Sequence, residues 1–236
     1  MHETDAPAHT VGRVFDAVLR SIEGLSARVT DLIRAAAARE ARPALAELAP
    51  LRLEILGILR GHAPLVTGTG FVAAPDVLAD APLWLEWWES GDAPERLVVD
   101  LDPASRGFYD YTERPWFTVP RRTRGPNVHG PYVDHHGTDQ YTLTMSTPVL
   151  DGEEFLGITG ADLYLRRVEK AVLPLLPRGA ILLNAQGRVV ISRSARHVTG
   201  ALLRRLDVDA ADRAPVEAPG GTLTRCGELR LYLLTP

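Results

Sequence analysis

A single cysteine, Cys226, stands in 236 residues, so no internal disulfide can brace the fold and no cysteine-based metal cluster can form. Aromatic side chains make up only 6% of the chain, which makes any place where several gather worth a closer look. Positive charge is not in excess: 26 Lys and Arg against 30 Asp and Glu leave a net charge of −4. Nothing therefore draws the chain as a whole to nucleic acid or anionic lipid. The basic run Arg121-Arg122-Thr123-Arg124 leads straight into Gly125-Pro126 and reads as a solvated loop. No window approaches the roughly 20 apolar residues of a membrane-spanning helix; Ala171 to Leu176 is a short run between Lys170 and Pro177. The start, Met1-His2-Glu3-Thr4-Asp5, lacks the basic opening and apolar stretch of a secretory signal. These absences lead to the expectation of a soluble, cytoplasmic protein with no nucleic-acid partner and no membrane span. With 45% hydrophobic and 24% charged residues, the chain has the composition of a folded globular protein.

Val11, Phe15, Val18, Ile22, Leu25, Val29 and Leu32 alternate steps of four and three, the spacing of a heptad seam on a long amphipathic helix. Such a stripe packs on the rest of the fold or on a second copy of itself, and the spacing leaves a homodimer through this helix open. A second helix is expected from Pro43 to Gly61, carried by Leu45, Leu48, Leu51, Leu56 and Leu59. Leu65 to Val72 reads as a strand whose Gly68 and Gly70 mark close backbone approach or a bulge. Trp84, Trp87 and Trp88 fall at i, i+3 and i+4, as on one face of a buried helix.

Arg96 to Leu101 reads as a strand, and so does Tyr141 to Leu150, which alternates like a half-buried one. The latter turns at Asp151-Gly152 into a hairpin partner, Phe155 to Asp162. A helix is expected from Leu163 to Leu176, then a strand–turn–strand unit over 180–192 and a further hairpin around Cys226-Gly227. The Asp/Ala/Pro-rich stretch Asp207 to Pro219 reads as a loop. The order is helices first, then mostly antiparallel sheet with inserted helices, an α+β chain. It divides into an N-terminal helical region (1–61), a sheet domain (62–176) and a β-rich C-terminal extension (177–236), which is extra strands or a reduced second module.

Catalytic chemistry lacks its parts. Ser146, Ser192 and Ser194 sit in no nucleophile elbow, and Cys226 is far in sequence from any histidine. Asp134-His135-His136, with His129 nearby, has the ligand types that hold zinc. Adjacent histidines on a strand face opposite ways, however, and no further ligand completes the set. A solvated loop is the expectation there, with a metal-dependent enzyme the remotest alternative; no metal or cofactor is expected, and no enzyme activity.

What does stand out is Tyr109-Asp110-Tyr111-Thr112-Glu113-Arg114-Pro115-Trp116-Phe117, followed by Gly130-Pro131-Tyr132-Val133-Asp134 and Gly160-Ala161-Asp162. An α-amino acid offers a carboxylate and an ammonium a few bonds apart. The Arg114 guanidinium can fork onto the carboxylate, and Trp116 can add an indole donor. Asp162 and Asp134 can meet the ammonium, with Tyr109 and Tyr132 supplying hydroxyls or ring faces. Alone, Arg114-Pro115-Trp116-Phe117 reads more simply as a packed loop with Arg114 paired to Glu113 or Asp110.

Taken together, Tyr109, Arg114, Trp116, Tyr132 and Asp162 resemble the ligand motif of Cache-domain sensors, PAS-like modules of which the double-Cache type binds amino acids. The resemblance runs from about Gly68 to Leu176. It implies a PAS-like antiparallel sheet, with carboxylate held by Arg114 and Trp116 and ammonium by Tyr109, Tyr132, Asp134 and Asp162. It also implies reversible binding of an amino acid or related amine or carboxylate for signal transduction. Members usually sit outside the membrane and feed a kinase, cyclase or chemotaxis module, whereas here neither span nor output domain is read. Phe117 stands where the family often has tyrosine. The rival expectation is a protein–protein interaction module that dimerises through the N-terminal helix.

Overall fold

The computed structural model describes residues 5–133 and 140–236. Its elements, in chain order, begin with α1 (Asp5–Ala37), α2 (Leu51–Gly61), β1 (Val66–Ala73), β2 (Leu85–Glu89), β3 (Glu95–Arg96) and α3 (Pro115–Thr123). There follow β4 (Asn127–Val133), β5 (Tyr141–Asp151), β6 (Glu154–Tyr164) and α4 (Leu165–Val172). The chain ends with β7 (Ile181–Asn184), β8 (Val189–Ser192), α5 (Val208–Ala211), β9 (Val216–Ala218), β10 (Gly221–Arg225) and β11 (Leu231–Thr235). Six strands run in the order β3-β2-β1-β6-β5-β4, and five in the order β8-β7-β11-β10-β9. The α+β reading and the long N-terminal helix thus hold, and the segment after Leu176 is β-rich.

Two compact units emerge, neither a continuous stretch of chain: Leu19–Asn127 with Thr144–Asp162, and Met1–Val18 with Val128–Leu143 and Leu163–Pro236.

The α1 helix spans 33 residues, and its stripe of Val11, Phe15, Val18, Ile22, Leu25 and Val29 is buried within the single chain. The seam is taken up inside the chain rather than offered to a partner. At the end of the stripe the inside position passes from Leu32, half-buried, to Ile33 and Ala36. A straight helix of 3.6 residues per turn drifts about 20° per heptad, so a strict seven-residue repeat cannot stay on one side.

In the larger first unit, α2 starts only at Leu51, because Pro50 has no N–H to continue a helix from the preceding 3-10 turn, Leu45–Leu48. The expected single helix from Pro43 is therefore split. The three tryptophans form no helix: Trp87 and Trp88 lie in β2, with Trp84 just before it, and β2 pairs antiparallel with β1, Trp88 opposite Thr69 and Trp87 opposite Gly70. A five-residue run of bulky side chains is decided by the partner strand, not by its own spacing. Trp84 and Trp88 then share one side, where both indoles donate to the Glu86 carboxylate, at 3.2 and 2.8 Å. Their rings are stacked by Arg96 and Arg52, at 4.8 and 4.4 Å from the centroids. Trp87 points to the other side.

The strand expected over Arg96–Leu101 stops early. Only Glu95 and Arg96 pair with β2, since Asp100 turns the chain by accepting from the Asp102 amide at 3.1 Å and from the Ser105 hydroxyl.

In the other unit, α4 gives way to a 3-10 turn at Leu173–Leu175, where Pro174 interrupts the expected helix. The stretch expected as a loop, Asp207–Pro219, is ordered at both ends. Asp207 caps α5 by accepting from Ala210 N at 2.8 Å, and β9 pairs with β10. The β10–β11 hairpin forms around Cys226 as read. Asp16 of α1 accepts from the Glu228 amide at 2.9 Å. There a Cβ on Gly12 would stand 2.6 Å from Gly227 N.

Candidate functional site

The site is built on one side of the sheet. Strand side chains alternate between faces, and Thr159 of β6 donates to the Ile22 carbonyl of α1 at 2.7 Å, so α1 covers the Thr159 side. Gly160 and Asp162, out of step with Thr159, face away from it. Asp162 is fixed from two directions. Its backbone carbonyl accepts from Thr67 Oγ1 at 2.9 Å, and its Oδ1 accepts from Thr144 Oγ1 at 2.6 Å.

Glycines clear this side. A Cβ on Gly70 would stand 2.1 Å from Glu86 O, the close backbone approach expected from the Gly-x-Gly sequence. A Cβ on Gly68 would instead stand 2.7 Å from Trp87 Nε1 and 3.6 Å from Asp162 Oδ2, and one on Gly160 would stand 3.2 Å from Trp87 Cη2. The Trp87 indole, 5% exposed, thus lies across two glycines, with its nitrogen on the side of the Asp162 carboxylate. Ser146 follows Thr144 by two residues on β5, hence on the same face. It is buried, and its Oγ has no hydrogen-bond partner.

Arg114 is the N-cap of α3, with Pro115 in the first turn where a missing N–H costs nothing. Its carbonyl accepts from Phe117 N and Thr118 N at 2.9 Å each, which fixes the backbone and frees the side chain for other work. The guanidinium carbon sits 5.4 Å from the Tyr109 ring centroid, and Nε is buried without a hydrogen-bond partner. The pairing with neighbouring acids does not form. Asp110 accepts instead from Thr112 N at 2.9 Å and Thr112 Oγ1 at 2.6 Å, and Glu113 is exposed.

Trp116 is buried and meets Phe117 edge-on, 6.3 Å between centroids. Phe117 packs 5.3 Å from both Tyr111 and Phe155, a core position that explains an unadorned ring there. Tyr111 donates to Ala73 O at 2.7 Å and accepts from Trp84 N at 3.2 Å, and burial pushes its phenol up to about 12.

Of the residues read from sequence, Tyr109 and Arg114 are in contact, Trp116 is the second residue of α3, and Asp162 is held by Thr144. Tyr132 is half-buried on β4 in the other unit, its ring 5.0 Å from that of His129. Burial, aided by the charge of Arg188, lowers the His129 imidazole below its ordinary range. Asp134, like His135 and His136, lies outside the described residues. Among the described residues no group of three or more His, Cys, Asp or Glu is placed to hold a metal, and no helix is long and apolar enough to cross a membrane.

Sequence reasoning missed Trp87, Thr144 and Ser146. The signal for Trp87 was present in Gly68 and Gly160, small residues on neighbouring strands that leave room for one large ring. Ser146 carried no signal, because an unpartnered hydroxyl is visible only in three dimensions.

Residues 95–170 match the family model described as methyl-accepting chemotaxis protein-like, first PDC sensor domain. No curated protein matches the chain by sequence. Among solved structures, the chain is similar to the ligand-binding domain of the Pseudomonas aeruginosa PAO1 amino acid chemoreceptor PctB in complex with L-Arg. There the TM-score is 0.59 at 18% identity, over 97% of this chain and 89% of that one. It is similar also to the domain of PctC from the same organism in complex with GABA, with TM-score 0.57, 18% identity, and 97% and 94% coverage. The domain of the Pseudomonas fluorescens chemoreceptor CtaA in complex with L-serine aligns with TM-score 0.59 at 15% identity, over 97% and 90%. At these identities the likeness is one of fold, and it agrees with the resemblance carried by the motif.

Proposed function

We propose, from the Cache-type (PDC) sensor fold of this chain, that it reversibly binds an α-amino acid or a related amine or carboxylate and reports its presence to a signalling partner. In this reading Arg114 and Trp116 hold the carboxylate, Tyr109 backs the guanidinium, and Asp162 takes the ammonium. The observation that carries it is the Arg114 side chain: a buried Nε with no partner, beside two acids that are not paired with it. A guanidinium kept only for structure satisfies its donors, because leaving one buried and unmet is costly. An Nε–H left unmet in a partly buried guanidinium is instead a donor that a planar carboxylate can complete. The complexes of similar domains with L-Arg, GABA and L-serine support a ligand of this class.

The test is a thermal-shift panel of the twenty amino acids, short amines and short carboxylates. A ligand at 100 times its dissociation constant adds about 2.7 kcal/mol of stability, and a panel without a single shift counts against this reading.

A further inference from the structure

Among the described residues, two side-chain atoms are buried without a hydrogen-bond partner, Arg114 Nε and Ser146 Oγ. The proposed function uses the first and leaves the second unexplained. Ser146 is 0% exposed, and a hydroxyl sealed from solvent normally finds an acceptor or a donor. Its strand neighbours show that it is not lost in the core. Thr144, one place back on the same face of β5, is hydrogen-bonded to the Asp162 carboxylate. On β6, Gly160 puts no side chain on that face, where a Cβ would stand 2.7 Å from Met145 O and 3.2 Å from the Trp87 ring. The hydroxyl therefore stands roughly 7 Å, one two-residue strand step, beyond the Thr144–Asp162 pair.

We propose that Ser146 Oγ is the contact for a hydrogen-bonding group on the ligand's side chain, so that this site selects amino acids with a short polar side chain over apolar ones of the same shape. The inference rests on the reading of Asp162 as the ammonium anchor. With the ammonium there, one strand step matches the reach of an amino acid to the end of a short polar side chain plus one hydrogen bond. A hydroxyl can donate or accept, so amide and hydroxyl side chains both suit it. An apolar isostere leaves it buried and unmet. The Trp87 ring lies along the same face and limits how long a side chain fits.

The experiment is calorimetric titration of the purified chain with L-threonine against L-valine and L-asparagine against L-leucine, for the native protein and for Ser146→Ala. The native chain is expected to favour the polar member of each pair about tenfold. In Ser146→Ala that preference collapses while the affinity for the apolar member stays within about twofold, since only a hydrogen bond to the polar group is lost. The variant's melting temperature is expected to be unchanged or raised, because no native partner of the hydroxyl is lost. Equal loss for both members, a preference that survives the substitution, or a fall in melting temperature overturns the assignment of Ser146 and leaves amino-acid binding standing. If the native chain binds no amino acid in the thermal-shift panel or here, the proposed function fails and this inference fails with it.

Discussion

The indole nitrogen of Trp87 lies 2.7 Å from the point where a Cβ on Gly68 would stand. Neither residue can change without the other. Gly68→Ala is expected to push the ring toward Gly160, where only 3.2 Å separates a Cβ position from Cη2. Overpacking of this kind costs about 1–3 kcal/mol. Chemical denaturation followed by tryptophan fluorescence reads the loss, and an unchanged midpoint would show that the ring moves freely.

Arg114 separates charge from geometry. Arg114→Ala is expected to weaken binding of whichever amino acid the thermal-shift panel identifies by about 2–5 kcal/mol, as for a truncated buried charge contact. Arg114→Lys keeps the charge but loses the planar fork, so it should recover only part of the affinity. Full recovery in the lysine variant would mean that a point charge suffices. Full affinity in the alanine variant would remove Arg114 from the site.

Glu86 holds two indoles at once. Glu86→Ala leaves the Trp84 and Trp88 donors without their acceptor, a loss of about 1–3 kcal/mol where such groups are buried. Glu86→Gln keeps one carbonyl and is expected to fall between. Urea midpoints of the three proteins give the order directly, and an alanine variant as stable as the native chain would show that water replaces the carboxylate.

Acid should loosen the chain before its carboxylates titrate. His62, whose Nε2 is 2.8 Å from Ser21 Oγ, is held below the ordinary imidazole value by burial, and so is His129. The unfolded chain then binds protons that the folded chain refuses. Stability is complete above about pH 6.5, declines as pH falls below that value, and levels off once pH passes beneath the lowered folded values. Melting temperatures between pH 8 and pH 5 should trace this decline, less steeply in His62→Gln. An identical profile in the variant would assign the slope to other groups.

Periodic burial made much of the architecture legible in advance. The heptad residues from Val11 to Val29 are where a long helix buries them, and the hairpin through Gly152 follows from alternation on both arms. Arg114, Trp116, Tyr109 and Asp162 stand out in the sequence because they are chemically conspicuous, and they remain the proposed ligand contacts. The tryptophans were misread since helical spacing and strand spacing both fit a five-residue cluster; the pairing of Trp87 with Gly70, fixed by another strand, decided it. Helix α3 was hidden by Pro115 and Pro120, two residues that signal interruption although the first sits where a helix tolerates it. Ser146 looked like any strand serine, because the absence of a partner is a property of the surroundings and not of the residue.

Strand β6 has a different role on each of its faces. Two residues separate Thr159, tied to a carbonyl midway along α1, from Asp162, tied to Thr144. The same short stretch of strand therefore carries both the proposed ligand anchor and a hydrogen bond to the backbone of α1. Between the proposed ligand anchor and the longest helix of the fold there is one strand and one hydrogen bond.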